Sequence, residues 1–284
     1  MKEINKVGII GAGMMGAEIA LCFAMSRYEV VMKETTLELA QKGKDRLDGV
    51  LDKAIKKGKF KAEDKALTLS RINPTDQYEL FKDTDVAVEA VFEDLETKKE
   101  VFAQLDSVCK PDCILATNTS SIPITLIATS VRGERIGRFI GAHFFSPASI
   151  MKLVEVIPGV ETKEETVTFM MDCCRQIGKT PIRVKDVPGF AVNRLLHVLL
   201  IEANRLVEEG VATPEDIDTA CKLGLGHPIG PFTLMDLTDN SLSLKVQQIM
   251  CEAYGERFRP RPILKQKVHA NHLGRKTGRG WFKY

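Results

Sequence analysis

A histidine and a glutamate on two neighbouring apolar runs form the first constellation that could carry chemistry. His143 lies in the run "GAHFF" and Glu155 in the run "KLVEVI", and the stretch between them, "FSPASIM", holds a proline and two serines. If this connection folds back symmetrically, its midpoint is residue 149, and the two side chains face each other across paired strands. A carboxylate beside an imidazole fixes its tautomer and raises its basicity, as a general base requires. The alternative is a core histidine in a structural ion pair.

A glycine-rich stretch near the start of the chain is typical of a nucleotide-binding turn. In "KVGIIGAGMMGAEIA", Gly11, Gly13 and Gly16 fit G-x-G-x-x-G after a β-rich run and before a helical pattern. In that context the first glycine permits a tight turn, the second lets a pyrophosphate approach, and the third lets the helix pack closely. The helix N-terminus offers N–H groups and the positive dipole end to phosphates. The alternative is a tight turn without a ligand.

An acidic residue at the end of the next run decides which dinucleotide is expected. Glu34 ends "EVVMKE", and a carboxylate there accepts hydrogen bonds from ribose hydroxyls and repels a 2′-phosphate. We therefore expect NAD rather than NADP, with the neighbouring Lys33 as the one feature that favours NADP. Hydride transfer from an alcohol to nicotinamide also needs a base for the hydroxyl proton, and His143 provides one.

Three further polar groups are candidates for contacts with ligands. The run "ATNTSS" places Asn118, Thr119, Ser120 and Ser121 at the end of a predicted strand, where open α/β sheets bind ligands. A capping or turn cluster is the alternative there. Asn193 begins a long helix just beyond a predicted hinge, where a cap or surface residue is the alternative. Lys53 and Lys57 share one helix face at i,i+4 spacing and could hold phosphates, or form part of a solvated charged face.

The elements that must position these residues predict an α/β protein with two domains. Short β-branched runs alternate with helical stretches up to about Lys185, which predicts a Rossmann-type, doubly wound, mainly parallel sheet. We expect this nucleotide-binding domain to occupy residues 1–187. After the predicted hinge "KDVPGF" the strand pattern stops, and residues 188–284 predict an all-helical C-terminal domain.

Net charge, apolar run length and cysteine spacing argue against several classes of partner. The 284 residues carry a net charge of only +2, so nucleic acid and membrane surfaces are not expected partners. No apolar run approaches the roughly 20 residues that span a bilayer, and we expect neither a signal peptide nor a membrane segment. Seven cysteines are scattered without a CxxC pair, which predicts free thiols in a reducing cytoplasm and no metal site.

Ordered blocks along nearly the whole chain resemble the L-3-hydroxyacyl-CoA dehydrogenase family. They are "GIIGAGMMGAEIA", "VEAVFEDLETKKEVFAQLD", "ILATNTSSIPIT", "GAHFFSPASIMKLVEVI", "DVPGFAVNRLL", "EDIDTACKLGLGHPIGPFTLMDL" and "LGRKTGRGWFKY". The resemblance implies an NAD-dependent, reversible conversion of a 3-hydroxyacyl-CoA into the 3-ketoacyl-CoA. Short-chain members are expected to oxidise 3-hydroxybutyryl-CoA to acetoacetyl-CoA and, in the reverse direction, to reduce acetoacetyl-CoA.

The same resemblance implies a role for each matching position. His143 is expected to be the catalytic base, Glu155 its partner, Ser120 the residue that binds the reacting oxygen, and Asn193 a residue that positions the substrate. Lys53 and Lys57 are expected to contact the phosphorylated nucleotide of coenzyme A. The positions expected to bind or line the cofactor are Gly11, Ala12, Gly13, Met14, Met15, Gly16, Glu34, Glu93, Lys98, Asn118, Ser120, Ser146 and Lys276.

The chain departs from the family pattern at three places. Ser146 stands where the family usually has an asparagine beside the nicotinamide, and a serine has a shorter reach. Glu34 is one methylene longer than the usual aspartate, and "TDN" at residues 238–240 replaces "GLD" in the helical domain. That domain's long helix carries more apolar surface than one small domain hides, so we expect a homodimer through it.

Two other functions remain open from the sequence. A dehydrogenase of a free hydroxy acid or sugar acid would use the same sheet domain but would not need Lys53 and Lys57. A non-catalytic NAD-binding protein would have no chemical need for Ser120, His143, Glu155 and Asn193 together.

Overall fold

The computed structural model describes residues 4–284. The chain divides into two compact units, one up to Val187 and one from Pro188 onward. The first contains a sheet with helices, and the second is helical apart from isolated bridges near its end. The predicted α/β sheet followed by a helical region is confirmed.

Eight strands form one sheet in the order β3-β2-β1-β4-β5-β6-β7-β8. All neighbouring pairs are parallel except β6 and β7, which run antiparallel. Every residue of β4, β5 and β6 is buried, as expected for strands that helices cover on both faces. The strands are β1 Lys6–Ile10, β2 Glu29–Lys33, β3 Ile72–Thr75, β4 Val86–Glu89, β5 Ile114–Thr117, β6 Phe139–Phe144, β7 Leu153–Pro158 and β8 Thr180–Arg183.

The sequence pattern did not predict β3. This strand has only four residues, "INPT", and contains Pro74. Proline cannot donate to a ladder and is tolerated at a sheet edge, where β3 lies. The charged stretch before it folds as α2 (Leu37–Lys56), a 3₁₀ turn (Ala62–Asp64) and α3 (Lys65–Ser70).

The helices of the first unit connect successive strands. Thr36 caps α2 by accepting a hydrogen bond from the Leu39 amide at 3.2 Å, and Asp94 caps α4 through the Thr97 amide at 2.9 Å. Both caps satisfy donors that a helix start leaves unpaired. These helices are α1 Met14–Met25, α2 Leu37–Lys56, α3 Lys65–Ser70, α4 Leu95–Val108, α5 Ile124–Ala128 and α6 Glu164–Gln176.

The second unit packs five helices around two small apolar clusters. Leu200 and Phe232 belong to one cluster, and Ile201 and Met250 belong to the other. The carboxylate of Asp236 ties the end of the chain to the helices, because it accepts hydrogen bonds from the Trp281 and Phe282 amides at 2.9 Å. The helices are α7 Val192–Glu208, α8 Pro214–Gly224, α9 Pro231–Thr238, α10 Asn240–Tyr254 and α11 Pro262–His269. Among the helices of residues 4–284, none is long and apolar enough to cross a bilayer.

Candidate active site

The glycine turn joins β1 to α1 in a conformation that suits phosphate binding. Gly11 has a φ of +96°, and a Cβ at Gly16 would overlap the Gly11 carbonyl oxygen, so turn and helix touch at these positions. Gly13, in contrast, is exposed, and no atom lies within 4 Å of where its Cβ would be. It also begins α1 without a side-chain cap. The open space at Gly13, beside the amides of the first helical turn, fits a pyrophosphate.

The carboxylate of Glu34 lies over this turn. It accepts hydrogen bonds from the Ala12 amide and from the Thr35 amide, both at 2.9 Å. Lys33 beside it is buried, and its ammonium lies 4.2 Å from the centre of the Tyr78 ring. Burial lowers the pKa of Lys33. The cation therefore packs on an aromatic ring at the edge where a ribose would bind, while Glu34 faces the turn.

His143 and Glu155 form a buried hydrogen-bonded pair. They are directly opposite in the antiparallel register of β6 and β7, as the symmetric connection predicted. His143 Nδ1 lies 2.8 Å from Glu155 Oε2, with exposures of 6% for the histidine and 0% for the glutamate. Because a carboxylate only accepts, Nδ1 carries the hydrogen, and the tautomer of the imidazole is fixed.

The "NTSS" segment forms a turn around one carboxylate after β5. Glu93 Oε1 accepts the amides of Ser120 and Ser121 at 2.9 Å and the Thr119 hydroxyl at 2.6 Å. Ser120 Oγ lies 3.3 Å from the same oxygen. Burial acts to raise the pKa of Glu93, but Lys98 and these hydrogen bonds outweigh it, and the pKa is lowered. The glutamate is thus an anion that shapes the turn.

Asn118 links this turn to the strand that carries His143. Its side-chain oxygen accepts a hydrogen bond from the Phe144 backbone amide at 2.8 Å. Its own backbone N–H donates to the Glu89 backbone carbonyl at 2.8 Å. The residue following His143 is therefore pinned to the segment that begins the "NTSS" turn. Asn118 was expected to line the cofactor, and its side-chain oxygen is already used within the protein.

Lys98 lies in the interior rather than on an open surface. Its exposure is 1%, and its Nζ is 2.7 Å from Glu89 Oε1 and 3.3 Å from Glu93 Oε2. The sequence analysis did not single out Glu89. A glutamate inside the apolar run "DVAVEAV" was the available signal, because such a residue needs a partner when its strand is buried.

The loop that follows His143 is anchored from below by α1 and by the segment before β8. Glu18 Oε2 accepts the Ser149 amide and hydroxyl, each at 2.9 Å. Lys179 Nζ donates to the Ala148 carbonyl and, at 3.0 Å, to the Met151 carbonyl. Ser146 lies on this loop and is exposed. Glu18 and Lys179 are further residues that the sequence patterns did not identify.

The remaining candidates lie on exposed or half-buried surfaces. Lys53 lies in the last turn of α2 and Lys57 directly follows the helix, and both side chains are exposed. In the helical unit, Asn193 is half-buried in the first turn of α7. Lys276 is exposed, with its Nζ 3.8 Å from Asp239 Oδ2.

The sheet brings most of the predicted residues of the first unit to one edge. The glycine turn follows β1, Glu34 follows β2, Glu93 follows β4, and the "NTSS" turn follows β5. His143 is the penultimate residue of β6, whose carboxyl end lies at the same edge because β5 and β6 are parallel. This edge, formed by the carboxyl ends of the parallel strands, is where open α/β sheets bind their ligands, and it is the ligand edge of this sheet.

Comparisons with known proteins agree with this arrangement. Residues 6–187 match the family described as "3-hydroxyacyl-CoA dehydrogenase, NAD binding domain", and residues 189–284 match its "C-terminal domain". The chain is 42% identical to a 3-hydroxybutyryl-CoA dehydrogenase of Clostridioides difficile, over 98% of this chain and 99% of that one. It is 41% identical to the human mitochondrial hydroxyacyl-coenzyme A dehydrogenase, over 99% of this chain and 91% of that one. The crystal structure of a Ralstonia eutropha (S)-3-hydroxybutyryl-CoA dehydrogenase superposes with a TM-score of 0.95 at 41% identity, covering 99% of both chains.

The chain belongs to the 3-hydroxyacyl-CoA dehydrogenase family. It is therefore an NAD-dependent oxidoreductase that acts on 3-hydroxyacyl-CoA, and the expected cofactor, enzyme class and substrate class are confirmed.

Proposed function

We propose that this enzyme interconverts 3-hydroxybutyryl-CoA and acetoacetyl-CoA, with His143 as the general acid–base. Relatives that share about 40% identity over nearly the whole chain carry the name 3-hydroxybutyryl-CoA dehydrogenase, which supports a short acyl chain. The observation that carries the proposed mechanism is the buried hydrogen bond between His143 and Glu155 at the ligand edge of the sheet.

In the oxidative direction the imidazole takes the proton of the C3 hydroxyl, and in the reductive direction it returns that proton. Glu155 accepts a hydrogen bond from Nδ1, so Nε2 is the nitrogen assigned to the substrate oxygen. The buried carboxylate also stabilises the imidazolium that forms. The glycine turn and Glu34 would hold the dinucleotide, which would supply a hydride acceptor as NAD in oxidation and a hydride donor as NADH in reduction.

The hydroxyl of Ser120 is proposed to hold the reacting oxygen together with His143. Its turn is fixed by the Glu93 carboxylate, so the hydroxyl is presented from a rigid segment rather than a free loop. Orientation of this kind supplies much of the rate in a two-reactant step. Asn193, on α7, is proposed to position the acyl-CoA.

The cofactor contacts are proposed for the residues of the sheet edge. The glycine turn and the start of α1, from Gly11 to Gly16, bind the pyrophosphate, and Glu34 binds the adenosine ribose. Glu93, Lys98, Asn118 and Ser146 line the nicotinamide side, with Lys276 as a further contact. Lys98 takes part through its ion pair with Glu93, since its ammonium is enclosed.

Lys53 and Lys57 are proposed to bind the phosphates of coenzyme A. Two exposed cations at the end of α2 lie where a helix C-terminus contributes partial negative charge, so their positive charge is well placed on the helix. A dehydrogenase of a free hydroxy acid would have no use for them.

We also propose a homodimer through the helical unit. On α7, Leu195 is 75% exposed and Val198, one turn later, is 50% exposed. Leu223 on α8 is 84% exposed. Apolar side chains of this size are typical of an interface. Sedimentation at micromolar concentration should give a dimer, and a monomer there would remove this proposal.

Replacement of His143 tests the mechanism. We expect His143→Gln to lower kcat by about 1,000-fold, within the range of general acid–base catalysis, because glutamine can hydrogen-bond but cannot exchange the proton. NADH binding, followed by fluorescence titration, should change by less than about threefold. A kcat within about threefold of the wild type would show that His143 is not the acid–base group.

A further inference from the structure

Glu89 is a carboxylate that the interior of the sheet unit encloses completely. It ends β4 with 0% exposure. It accepts hydrogen bonds from Lys98 Nζ, the Thr117 hydroxyl and the Val91 amide, each at 2.7 Å. A buried carboxylate is costly unless it is paired and hydrogen-bonded in this way, so its three donors define its position closely.

The partner of Glu89 connects it to the turn that carries Ser120. Lys98 Nζ bridges the two carboxylates, at 2.7 Å from Glu89 and 3.3 Å from Glu93. Glu93 in turn accepts the Ser120 amide at 2.9 Å and lies 3.3 Å from its hydroxyl. A continuous series of ionic contacts and hydrogen bonds therefore runs from the end of β4 to the Ser120 side chain.

We propose that Glu89 is a positioning residue for the reaction, which acts through Lys98 and Glu93 to fix the direction of the Ser120 hydroxyl. This inference rests on the proposed function, in which Ser120 holds the reacting oxygen. Without the Glu89 charge, the enclosed Lys98 ammonium keeps one carboxylate partner and moves toward Glu93. Glu93 then shifts, and the Ser120 turn shifts with it. A displacement of about 1 Å in such a group costs about 100-fold in rate.

The opposite end of the same strand offers a matched control. Asp85, directly before β4, is also buried, with 3% exposure. It accepts Lys110 Nζ at 2.6 Å and the Asn5 amide at 2.8 Å. It thus combines a buried carboxylate, a lysine and a backbone amide, as Glu89 does. Asp85 lies at the amino end of the strand, away from the ligand edge.

The first experiment compares Glu89→Gln with Asp85→Asn. Both should lower the melting temperature, because each removes a buried carboxylate charge that pairs with a lysine. Thermal unfolding curves followed by circular dichroism identify a temperature at which both variants are fully folded, and the kinetic assays are run at that temperature. We expect kcat for acetoacetyl-CoA reduction to fall by about tenfold or more in Glu89→Gln and to stay within about twofold in Asp85→Asn. Equal effects on kcat would show that Glu89 is only structural.

The second experiment repeats Glu89→Gln in a Ser120→Ala background. Ser120→Ala alone should lower kcat by about tenfold or more, as the loss of a donor to the reacting oxygen does. If Glu89 acts through Ser120, adding Glu89→Gln should lower kcat by less than about twofold further. Independent, multiplied effects would overturn the positioning role and leave the proposed role of Ser120 standing. A wild-type kcat in Ser120→Ala would instead overturn both.

A milder variant keeps the test open if Glu89→Gln does not fold. Thr117→Val removes the hydroxyl that donates to Glu89 at 2.7 Å and accepts the Thr119 amide at 3.2 Å, and it preserves the side-chain shape. We expect about a threefold loss of kcat that disappears in the Ser120→Ala background. An unchanged kcat, or a loss that persists in that background, would contradict the proposal.

Discussion

The two units differ in whether their buried polar side chains have hydrogen-bond partners. In the described part of the sheet unit, residues 4–187, every fully enclosed side-chain nitrogen or oxygen has a hydrogen-bond partner, including those of Glu89 and Lys98. In the helical unit, five such atoms have none: they belong to His197, Asn204 and Gln247. We propose that the sheet unit uses buried charge to fix the positions of reacting groups, and that in the helical unit the unpaired groups only cost stability.

The helical unit also contains a contrast of its own. Asn240 is as buried as Asn204, both at 0% exposure. Its amide nitrogen lies 3.0 Å from both Asp236 Oδ1 and the His272 carbonyl, and its oxygen accepts Trp281 Nε1 at 3.1 Å. Within the helical unit, the buried side-chain atoms that lack a hydrogen-bond partner all lie on α7, with His197 and Asn204, and on its packing partner α10, with Gln247.

The largest effect on stability that we expect is an acid sensitivity of the helical unit. Burial lowers the pKa of His197 to about 4, while an unfolded chain has a histidine pKa of about 6.5. The neutral ring therefore contributes its stability fully above pH 6.5, and this contribution is lost as the pH falls toward 4. Between about pH 7 and pH 4 the free energy of unfolding should fall by about 3 kcal/mol through this residue.

Denaturant titrations of the wild type and His197→Val at both pH values measure this effect. The valine variant lacks the titrating ring, so the difference in unfolding free energy between the two proteins should change by about 3 kcal/mol between the two pH values. The kcat at neutral pH should be unaltered. A difference that is independent of pH would mean that the folded unit accommodates the imidazolium.

The next effect concerns the paired groups of the sheet unit. Glu155→Gln keeps the size of the side chain but removes the charge that we propose stabilises the His143 imidazolium. We expect kcat to fall by about 100-fold, at the lower end of general acid–base effects. Steady-state kinetics beside Asp85→Asn, a buried carboxylate away from the ligand edge, separates chemistry from stability. If both variants lost kcat equally, the loss would reflect the stability of the sheet unit, and the chemical role proposed for Glu155 would be wrong.

A smaller effect is expected at the surface of the sheet unit. Replacing Lys53 and Lys57 together by alanine should raise KM for acetoacetyl-CoA by about tenfold with little change in kcat, because uniform binding is lost. Lys42→Ala is the control. Lys42 is also exposed on α2, about 16 Å along the axis from Lys53 and on the same face. An equal change in KM from Lys42 would point to general charge attraction.

The smallest effect is a gain in stability. Asn204→Leu removes two buried atoms that have no partner, and we expect it to raise the free energy of unfolding by about 1 kcal/mol. Asn240→Leu, which breaks three hydrogen bonds, should lower it. Thermal unfolding of the two variants is sufficient to decide. Destabilisation by both would show that Asn204 is paired in solution, for example through enclosed water.

The sequence predicted those parts of the site that depend on local spacing. The glycine turn, Glu34 and the pairing of His143 with Glu155 follow from motif and register alone, because a symmetric connection brings the same two positions together. The network around Glu89 could not be predicted, since its side-chain partners, Lys98 and Thr117, come from α4 and β5, which only the folded sheet brings together. Lys98 shows the same limit: its motif suggested a cofactor contact, but its burial between two carboxylates depends on tertiary packing.

β3 and the Asn118 side chain illustrate two other limits. β-Propensity does not predict β3, because this edge strand has only four residues and one of them is Pro74. Asn118 was expected to face a ligand, and its contact with the Phe144 amide depends on the parallel pairing of β5 with β6.

The most direct test of the account is the oxidation of NADH by the wild-type enzyme with acetoacetyl-CoA, beside NADPH and beside free acetoacetate. Glu34 at the ribose edge and the lysines at the end of α2 predict fast turnover for NADH with the thioester alone. Equal turnover with NADPH would contradict the role of Glu34. Equal turnover of free acetoacetate would contradict the role of Lys53 and Lys57. Binding of NADH without turnover of either substrate would contradict the proposed reaction itself.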